Sequence, residues 1–504
     1  MNTNPDATGD NPICFQYYRD LPKEMFAESM PAPTASPSLI ELNENLLEQL
    51  GIEPSWFDSQ QAVSLLSGNS INEDNRPIAL AYSGHQFGRW SAALGDGRAH
   101  MLGQVKTTDG KYVDFQLKGS GRTQFSRGGD GRATLGSVIR EYLLSEAMAG
   151  LGISTTRSIA MLATGDSVAR EKLNPGAILV RSAQSHLRVG SFQFAHSQAA
   201  NLQSSQSQPV TSGVKALADF IIAKHFPELE QSSTKYLDLL SAVGKRQADL
   251  IAEWMLVGFI HGVMNTDNVS IIGETIDFGP CAFMDEYNPQ KVFSSIDTQG
   301  RYAWDQQPTI AQWNLTRLAE TMLLLFDENE EKSIEMAQQR LLEFMPQFQK
   351  SFQTGLMYKF GFSDNNDQTK QLTNELLGAM EQDGVDFTIF FNSLTQVAEG
   401  ESDQIVINLF EDSDVVSALI KQWQKLRAKD SETLLSMRKA NPAVIARNHQ
   451  VQLAIDAAVE NNDFVPFRRL CRVLANPYQI DPADDELMTP PKSEERVTQT
   501  FCGT

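Results

Sequence analysis

Cysteine is scarce in this chain: four in 504 residues, Cys14, Cys281, Cys471 and Cys502, far apart and with no C-x-x-C pair. That spacing excludes a zinc ribbon or a disulfide scaffold and fits a reduced compartment. No apolar run approaches the ~20 residues needed to span a bilayer. The opening MNTNPDATGDNP lacks the basic start and apolar core of a signal peptide and is too acidic for a mitochondrial transit peptide, so the expected location is the cytoplasm. Positive charge is also short: 42 Lys and Arg against 63 Asp and Glu give a net charge of −21. A field of that sign repels polyanions, which argues against nucleic-acid or anionic-membrane partners. No G-x-S-x-G, H-E-x-x-H or complete G-x-G-x-x-G is present, which leaves hydrolase, zinc-protease and Rossmann readings without support.

What is present is an ordinary globular composition, 41% hydrophobic and 21% charged, with one local exception. From Gln116 to Arg140 the chain carries Lys118, Arg122, Arg127, Arg132 and Arg140 against one acid, Asp130. A solvated basic face would have this composition, but the stretch is also rich in glycine, which suits a small-anion site.

Periodicity divides the chain. Residues 1–75 mix loops with short helices, among them LIELNENLLEQLG, a helix stopped by Gly51. Residues 80–182 read as a β-rich unit with one helix at about 134–149. Within it, Lys111–Lys118 alternates Val113, Phe115 and Leu117 with Asp114, Gln116 and Lys118, and 176–181 (GAILVR) reads as a buried strand. The Ser/Gln-rich segment 195–213 reads as a mobile loop or insertion. Beyond 214 helical spacing dominates, at 215–225, 246–263, 311–326, 333–349, 415–428 and 445–459. The last two dozen residues read as a flexible tail.

The chemistry-bearing residues cluster in two places. In VSIIGETIDFG (269–279) two β-type runs flank Gly273-Glu274, predicting a hairpin with Ser270 opposite Asp277. Asn268 and Asp277 then become diagonal neighbours whose oxygens could share a hard divalent cation, with Asp267 beside them as a base. A turn capped by Asp267 and Asn268 would look the same. In the β-rich unit, Lys118 on a strand and Glu141 on the following helix have the order of a phosphate-facing lysine and its partner, although a surface pair has that order too. LGDGRA (94–99) is a turn whose Gly95 and Gly97 would let backbone N–H groups approach phosphate, with Arg98 adding charge; an ordinary tight turn also has this form. His85 and His261 lie near these motifs without an assigned role, His261 reading as a packed, hydrogen-bonded residue.

Together these segments resemble the selenoprotein O family. The resemblance rests on AYSGHQFGRWSAALGDGRA (81–99), DFQLKGSGRTQFSRGGDGRATLGSVIREYLLSEAMAGLGISTTRS (114–158), HGVMNTDNVSIIGETIDFGPCAFMDEY (261–287), QGRYAWDQQPTIAQWNLTRLAE (299–320) and NPAVIARNHQVQLAIDAA (441–458). It implies an α+β, protein-kinase-like two-lobe fold: an N-terminal extension (1–78), a nucleotide-binding lobe (79–182), a helical lobe with the metal and catalytic site (183–430) and a helical C-terminal extension (431–504). ATP would bind flipped, its γ-phosphate buried and its α-phosphate facing the acceptor. The implied nucleotide contacts are Gly95, Gly97, Arg98, Lys118, Asp130, Gly131, Arg181 and Arg188, with Glu141 pairing Lys118. Asn268 and Asp277 would hold Mg2+ or Mn2+, and Asp267 would accept the proton. Arg181 and Arg188 enter only through the resemblance, although guanidinium forks suit phosphate oxygens.

The activity implied is transfer of AMP from ATP, or UMP from UTP, to Ser, Thr or Tyr hydroxyls of proteins. The resemblance also implies a redox role for a cysteine near the C-terminus, where Cys502 stands; Phe293 occupies the expected partner position and Cys281 lies nearby. Two other functions compete. A kinase transferring the γ-phosphate should carry its catalytic Asp several residues before the metal Asn, whereas Asp267 directly precedes Asn268. A non-catalytic nucleotide-binding scaffold would have no need of Lys118, Glu141, Asn268 and Asp277 together.

Overall fold

The computed structural model describes residues 12–13, 17–57, 59–71, 76–203 and 212–501. Cys14, Cys502 and the middle of the Ser/Gln-rich segment, 204–211, lie outside them. The fold is mixed α+β. Its centre is an antiparallel sheet whose strands lie side by side in the order Phe26–Glu28, Ile78–Leu80, Ala99–Lys106, Tyr112–Lys118, Leu173–Ala183, Arg157–Ala169 and Ser38–Leu42. A short strand, Ala133–Thr134, pairs with Leu173–Ala183 off this path.

The alternation in Tyr112–Lys118 has the expected period, but both faces are covered. Phe115 and Leu117 pack with Leu46, Leu47, Phe57, Ile159 and Val180 in a small core on one face. On the other face Asp114 is fully buried and accepts from Tyr17 Oη (3.1 Å), Tyr18 Oη (2.6 Å), Gln104 Nε2 (2.8 Å) and His186 Nδ1 (2.8 Å). A buried carboxylate with four such partners is satisfied without water, and it pins the N-terminal tyrosines to the sheet. The polar face of this strand is therefore an internal network.

The helix Leu135–Gly150 begins at Thr134, whose hydroxyl caps Ser137 N, and lies against Arg157–Ala169 and Leu173–Ala183. Its Val138, Ile139, Tyr142 and Leu143 join the large core. The rest of the chain is mainly helical: Ser212–His225, Lys235–Leu256, Gln307–Phe326, Glu330–Leu341, Phe344–Phe360, Asp367–Asp383, Phe387–Glu399, Ser413–Leu426, Ser431–Ala440, Asn448–Asn461 and Val465–Leu474. The last two return to pack on Leu135–Gly150, where Gly136 leaves room for Ile455. No helix among the described residues is long and apolar enough to cross a membrane.

Several expectations are corrected. LIEL of the predicted 39–50 helix belongs to the strand Ser38–Leu42, and the helix is only Glu44–Leu50, closed by Gly51 at φ 72°. The first part of the Ser/Gln-rich segment continues the helix Val189–Gln203. The predicted 246–263 helix stops at Leu256 and gives way to Phe259–Ile260, which pairs with Ala282–Phe283. The predicted 333–349 helix is two helices, Glu330–Leu341 and Phe344–Phe360.

The predicted 268–278 hairpin does not form: Ser270 bridges Arg188, and Thr275 bridges Thr155. Each arm bonds to a segment flanking the sheet, Ile271 N to Leu187 O (3.1 Å) and Thr275 N to Ser154 O (2.9 Å). The C-terminal tail is docked through residue 501. Asp484 receives Arg469 (2.7 Å) and Arg472 (2.9 Å), and Thr500 N donates to Phe293 O (2.8 Å). Ion pairs and one backbone pairing hold a segment whose composition has little apolar content.

Candidate active site

Between the sheet with its helix and the helical region lies a cavity of about 820 Å³. Its floor is a charge cluster assembled from four elements. Lys118 ends the strand Tyr112–Lys118, Arg181 lies on the neighbouring strand, Glu141 on the helix, and Asp277 on the 261–281 connection. Lys118 Nζ lies 2.6 Å from Glu141 Oε2 and 2.6 Å from Asp277 Oδ1. Arg181 Nη1 lies 3.1 Å from Glu141 Oε1 and 2.8 Å from Asp277 Oδ1, and its Nε donates to Gln116 Oε1 at 2.8 Å. Arg188 Nη1 reaches Asp277 Oδ2 at 2.7 Å.

Asp277 thus faces three cations. Burial works to raise its carboxyl, and Lys118, Arg188 and Arg181 overcome that and hold it well below the usual carboxylate range. Its backbone sits at φ 66°, a left-handed conformation that costs a non-glycine residue about 1–3 kcal/mol and aims the carboxylate into the cluster. Arg188 also lies over the Tyr82 ring (4.6 Å) and near the buried Asp96 (3.8 Å), and its Nε is buried without a partner. Arg98, Arg127 and Arg140 line the same cavity. The excess of positive charge in this cleft suits a polyphosphate.

The second half of the site is the short turn Thr266–Asn268. Asp267 is buried; one carboxylate oxygen accepts from Gln86 Nε2 (3.2 Å), and the other, Oδ1, is buried with no hydrogen-bond partner. Burial pushes its pKa up to about 6, against the pull of Arg188. Arg188 Nη1 also donates to the Asp267 carbonyl at 2.7 Å, tying the two halves together. Asn268 donates through Nδ2 to Val263 O (3.0 Å), which orients its amide, and both Asn268 and Asp277 line the cavity.

Among the described residues no group of three or more His, Cys, Asp or Glu is placed to hold a metal. The two oxygens expected to hold a metal, the Asn268 amide and the Asp277 carboxylate that also receives Lys118, Arg181 and Arg188, are too few for a protein-only metal site. They match a small hard dication that takes its remaining ligands from phosphates and water.

The other expected contacts are arranged around the rim. Gly95 (φ 96°) and Gly97 shape the turn that packs under Phe125 and Ser126; a side chain at Gly97 would lie 2.9 Å from Phe125 O. Asp130 also lines the cavity, but its carboxylate is held by both Arg170 nitrogens (2.8 and 3.0 Å) and by Arg132 N (2.9 Å). Gly131 (φ 69°) stands where a Cβ would meet Gly121 O at 2.1 Å. His261 is buried and bonded to Ile276 O (2.9 Å), a packed residue as expected, although it follows a strand rather than ending a helix. Cys281 is buried, its Sγ donating to Phe278 O (3.4 Å), and Cys502 lies outside the described residues.

Three participants escape a reading of sequence: Gln86, Asp96 and Gly84. Asp96 accepts from Leu80 N (3.1 Å) and Gln116 Nε2 (3.0 Å), a buried brace under the glycine turn. A Cβ at Gly84 would lie 2.8 Å from Asp267 Oδ1 and 3.1 Å from Thr266 Oγ1. The only local signal was the small Ser-Gly pair in AYSGHQ, which is common in turns.

A family model described as "Protein adenylyltransferase SelO" matches residues 15–475. The chain is 51% identical over 506 residues to the "Protein nucleotidyltransferase YdiU" of Shewanella denitrificans, covering 98% of each chain. Proteins of the same name from Rhodopseudomonas palustris (strain BisB5) and Rhizobium etli are 48% and 46% identical over 492 residues; 97% of this chain is covered in both, with 98% and 96% of the relatives. By length of match and identity, this chain belongs to the SelO protein adenylyltransferase family.

Proposed function

We propose that the chain transfers AMP from ATP to Ser, Thr or Tyr hydroxyls of proteins, releasing pyrophosphate. The observation that carries this reading is the buried cluster in which Lys118, Arg181 and Arg188 converge on Asp277, with the partly unpartnered Asp267 next to it. The three cations, with Arg98, receive the phosphates, and Gly95, Gly97, Asp130 and Gly131 shape the cavity wall. Asn268 and Asp277 supply the protein oxygens for Mg2+ or Mn2+, which when bound adds charge neutralisation at the phosphates. Asp267 accepts the proton of the hydroxyl whose oxygen attacks the α-phosphorus, while the bond from that phosphorus to the β-bridging oxygen breaks and its electron pair leaves with pyrophosphate. Catalysis by this arrangement is positioning and electrostatics.

On this reading the sheet with Leu135–Gly150 is the nucleotide lobe (79–182) of a kinase-like fold, 183–430 the helical lobe, and 1–78 and 431–504 extensions, in a cytoplasmic protein. UTP with manganese is an alternative donor, giving UMP transfer, and Cys502 is a candidate redox element. A γ-phosphate kinase is disfavoured by the adjacency of Asp267 and Asn268.

The test is Asp267→Ala. It should retain ATP affinity within a few-fold and lose nucleotidyl transfer by at least about a hundredfold, the usual range for a proton acceptor. Wild-type protein that binds ATP but releases no pyrophosphate with any protein acceptor would favour a scaffold instead.

A further inference from the structure

The loop 121–131, between the strands Tyr112–Lys118 and Ala133–Thr134, forms part of the cavity wall. Its neck is closed backbone on backbone: Gly121 N donates to Gly131 O (2.9 Å), and Ser120 bridges Arg132. Two of its carbonyls are taken from within, Arg122 donating through Nε to Gly129 O (2.6 Å) and through Nη2 to Gly128 O (2.8 Å). Thr123 Oγ1 donates to Asp96 O (2.7 Å) and Ser126 Oγ to Gly97 O, joining the loop to the glycine turn. The other end of the loop is held from outside, by Arg170.

Arg170 stands in the turn between Arg157–Ala169 and Leu173–Ala183 and also lines the cavity. Its Nη1 and Nη2 meet the two Asp130 carboxylate oxygens at 2.8 and 3.0 Å, and Nη2 donates to Arg132 O at 3.0 Å. Asp130 Oδ1 accepts Arg132 N as well (2.9 Å). The Arg170 hydrogen bonds, helped by Arg132 N, hold the Asp130 carboxyl below its usual range. A free carboxylate on this wall would repel a triphosphate. Here both oxygens are committed, and a forked pair fixes orientation as well as charge.

What this end of the loop offers the cavity is main chain. Gly131 is buried, lines the cavity at φ 69°, and its N–H has no acceptor among the described residues. A buried N–H without a partner is costly, and turn N–H groups of this kind make anion cradles.

We infer that Arg170 is a positioning residue for the nucleotide: its fork on Asp130 fixes the loop so that the Gly131 N–H, and not the Asp130 carboxylate, meets the nucleotide. This rests on the reading above that the cavity holds ATP. The carboxylate is the grip through which Arg170 holds the loop. The two side chains are 26% and 47% exposed, so breaking the pair costs the fold little while it loosens the cavity wall.

The test is a double-mutant cycle read by ATP affinity. Arg170→Ala and Asp130→Ala should each weaken ATP binding, measured by calorimetry, by about tenfold, the scale of one hydrogen bond to a charged group. The double variant should be no weaker than either single one. Arg170→Lys, which keeps the charge without the fork, should fall between Arg170→Ala and wild type. In steady-state transfer the loss should appear in KM for ATP, with kcat within about twofold of wild type, and melting temperatures without nucleotide should stay the same. Arg170→Ala with wild-type ATP affinity would overturn the inference. So would tighter binding in Asp130→Ala, or a double variant weaker than Arg170→Ala by the full Asp130→Ala factor, the mark of a carboxylate that touches the nucleotide itself. Each of these leaves nucleotidyl transfer standing, whereas a wild-type protein that binds no ATP would overturn both.

Discussion

Lys118 and Asp277 stand 159 positions apart in the chain and meet at 2.6 Å on the floor of the cavity. Glu141 holds the other side of the lysine and Arg181 bridges both acids. The cluster joins the sheet, its helix and the 261–281 connection into one charged surface. Removing Asp277 leaves Lys118 and Arg181 sharing Glu141 and takes away the carboxylate that Arg188 meets at 2.7 Å. Asp277→Ala should therefore lower stability by ~3–5 kcal/mol, the scale of a broken buried pair, and abolish transfer. Thermal melts with and without ATP provide the check: the triphosphate should restore more melting temperature to the variant than it adds to wild type.

Gly84 touches Asp267, the proposed base, without itself taking part in the proposed chemistry. Gly84→Ala puts a methyl carbon 2.8 Å from Asp267 Oδ1, so the carboxylate must shift. A displacement near 1 Å costs a positioned group on the order of a hundredfold. The variant should lose ~10- to 100-fold in kcat while its ATP affinity, measured by calorimetry, stays the same.

Glu274 gives a pH signature independent of the site. Burial raises its pKa to about 8, with Asp114 adding to the shift and Gln184 N opposing it. The unfolded value is about 4.3. A carboxyl raised on folding favours the protonated folded state, so stability is lost as pH rises from about 4.3, and the loss is complete above about 8. Glu274→Gln keeps an acceptor for Gln184 N and removes the charge. Its unfolding free energy should match wild type near pH 4.5 and exceed it increasingly up to pH 8, by a margin on the order of a few kcal/mol. A constant difference across that range would contradict the assignment.

Arg447 anchors the C-terminal helices. It is 1% exposed and pairs with Asp285 and, at 2.8 Å, with Asp386. Arg447→Met should cost ~3–5 kcal/mol because two buried acids lose their partner. Arg438→Met, at the exposed pair with Glu399, should cost under about 1 kcal/mol. Urea unfolding of the two variants separates these outcomes.

Local pattern carried much of this in the sequence. The Tyr112–Lys118 alternation, the helix at about 134–149 and the stop at Gly51 follow from side-chain period and glycine freedom, and all three are present. Long-range pairing was not legible. Two β-type runs around Gly273-Glu274 look like a hairpin to a local rule, yet Ser270 and Thr275 pair with Arg188 and Thr155 instead. The burial of the polar face of Tyr112–Lys118 was not legible, because nothing near Asp114 in sequence announces Tyr17, Tyr18 and His186. Among the site residues, Lys118, Glu141, Asp267, Asn268 and Asp277 were visible in motifs. Arg181 and Arg188 came only with the family resemblance, since a lone arginine on a buried strand, or in the connection that follows it, has no local signature.

The central claim is the bond that is broken. Wild-type protein is incubated with magnesium and acceptor proteins, in parallel with ATP labelled at the α-phosphate and at the γ-phosphate. The account predicts α-label on protein, no γ-label, and one pyrophosphate released per label incorporated. Protein-bound γ-label would contradict it and make this chain a kinase.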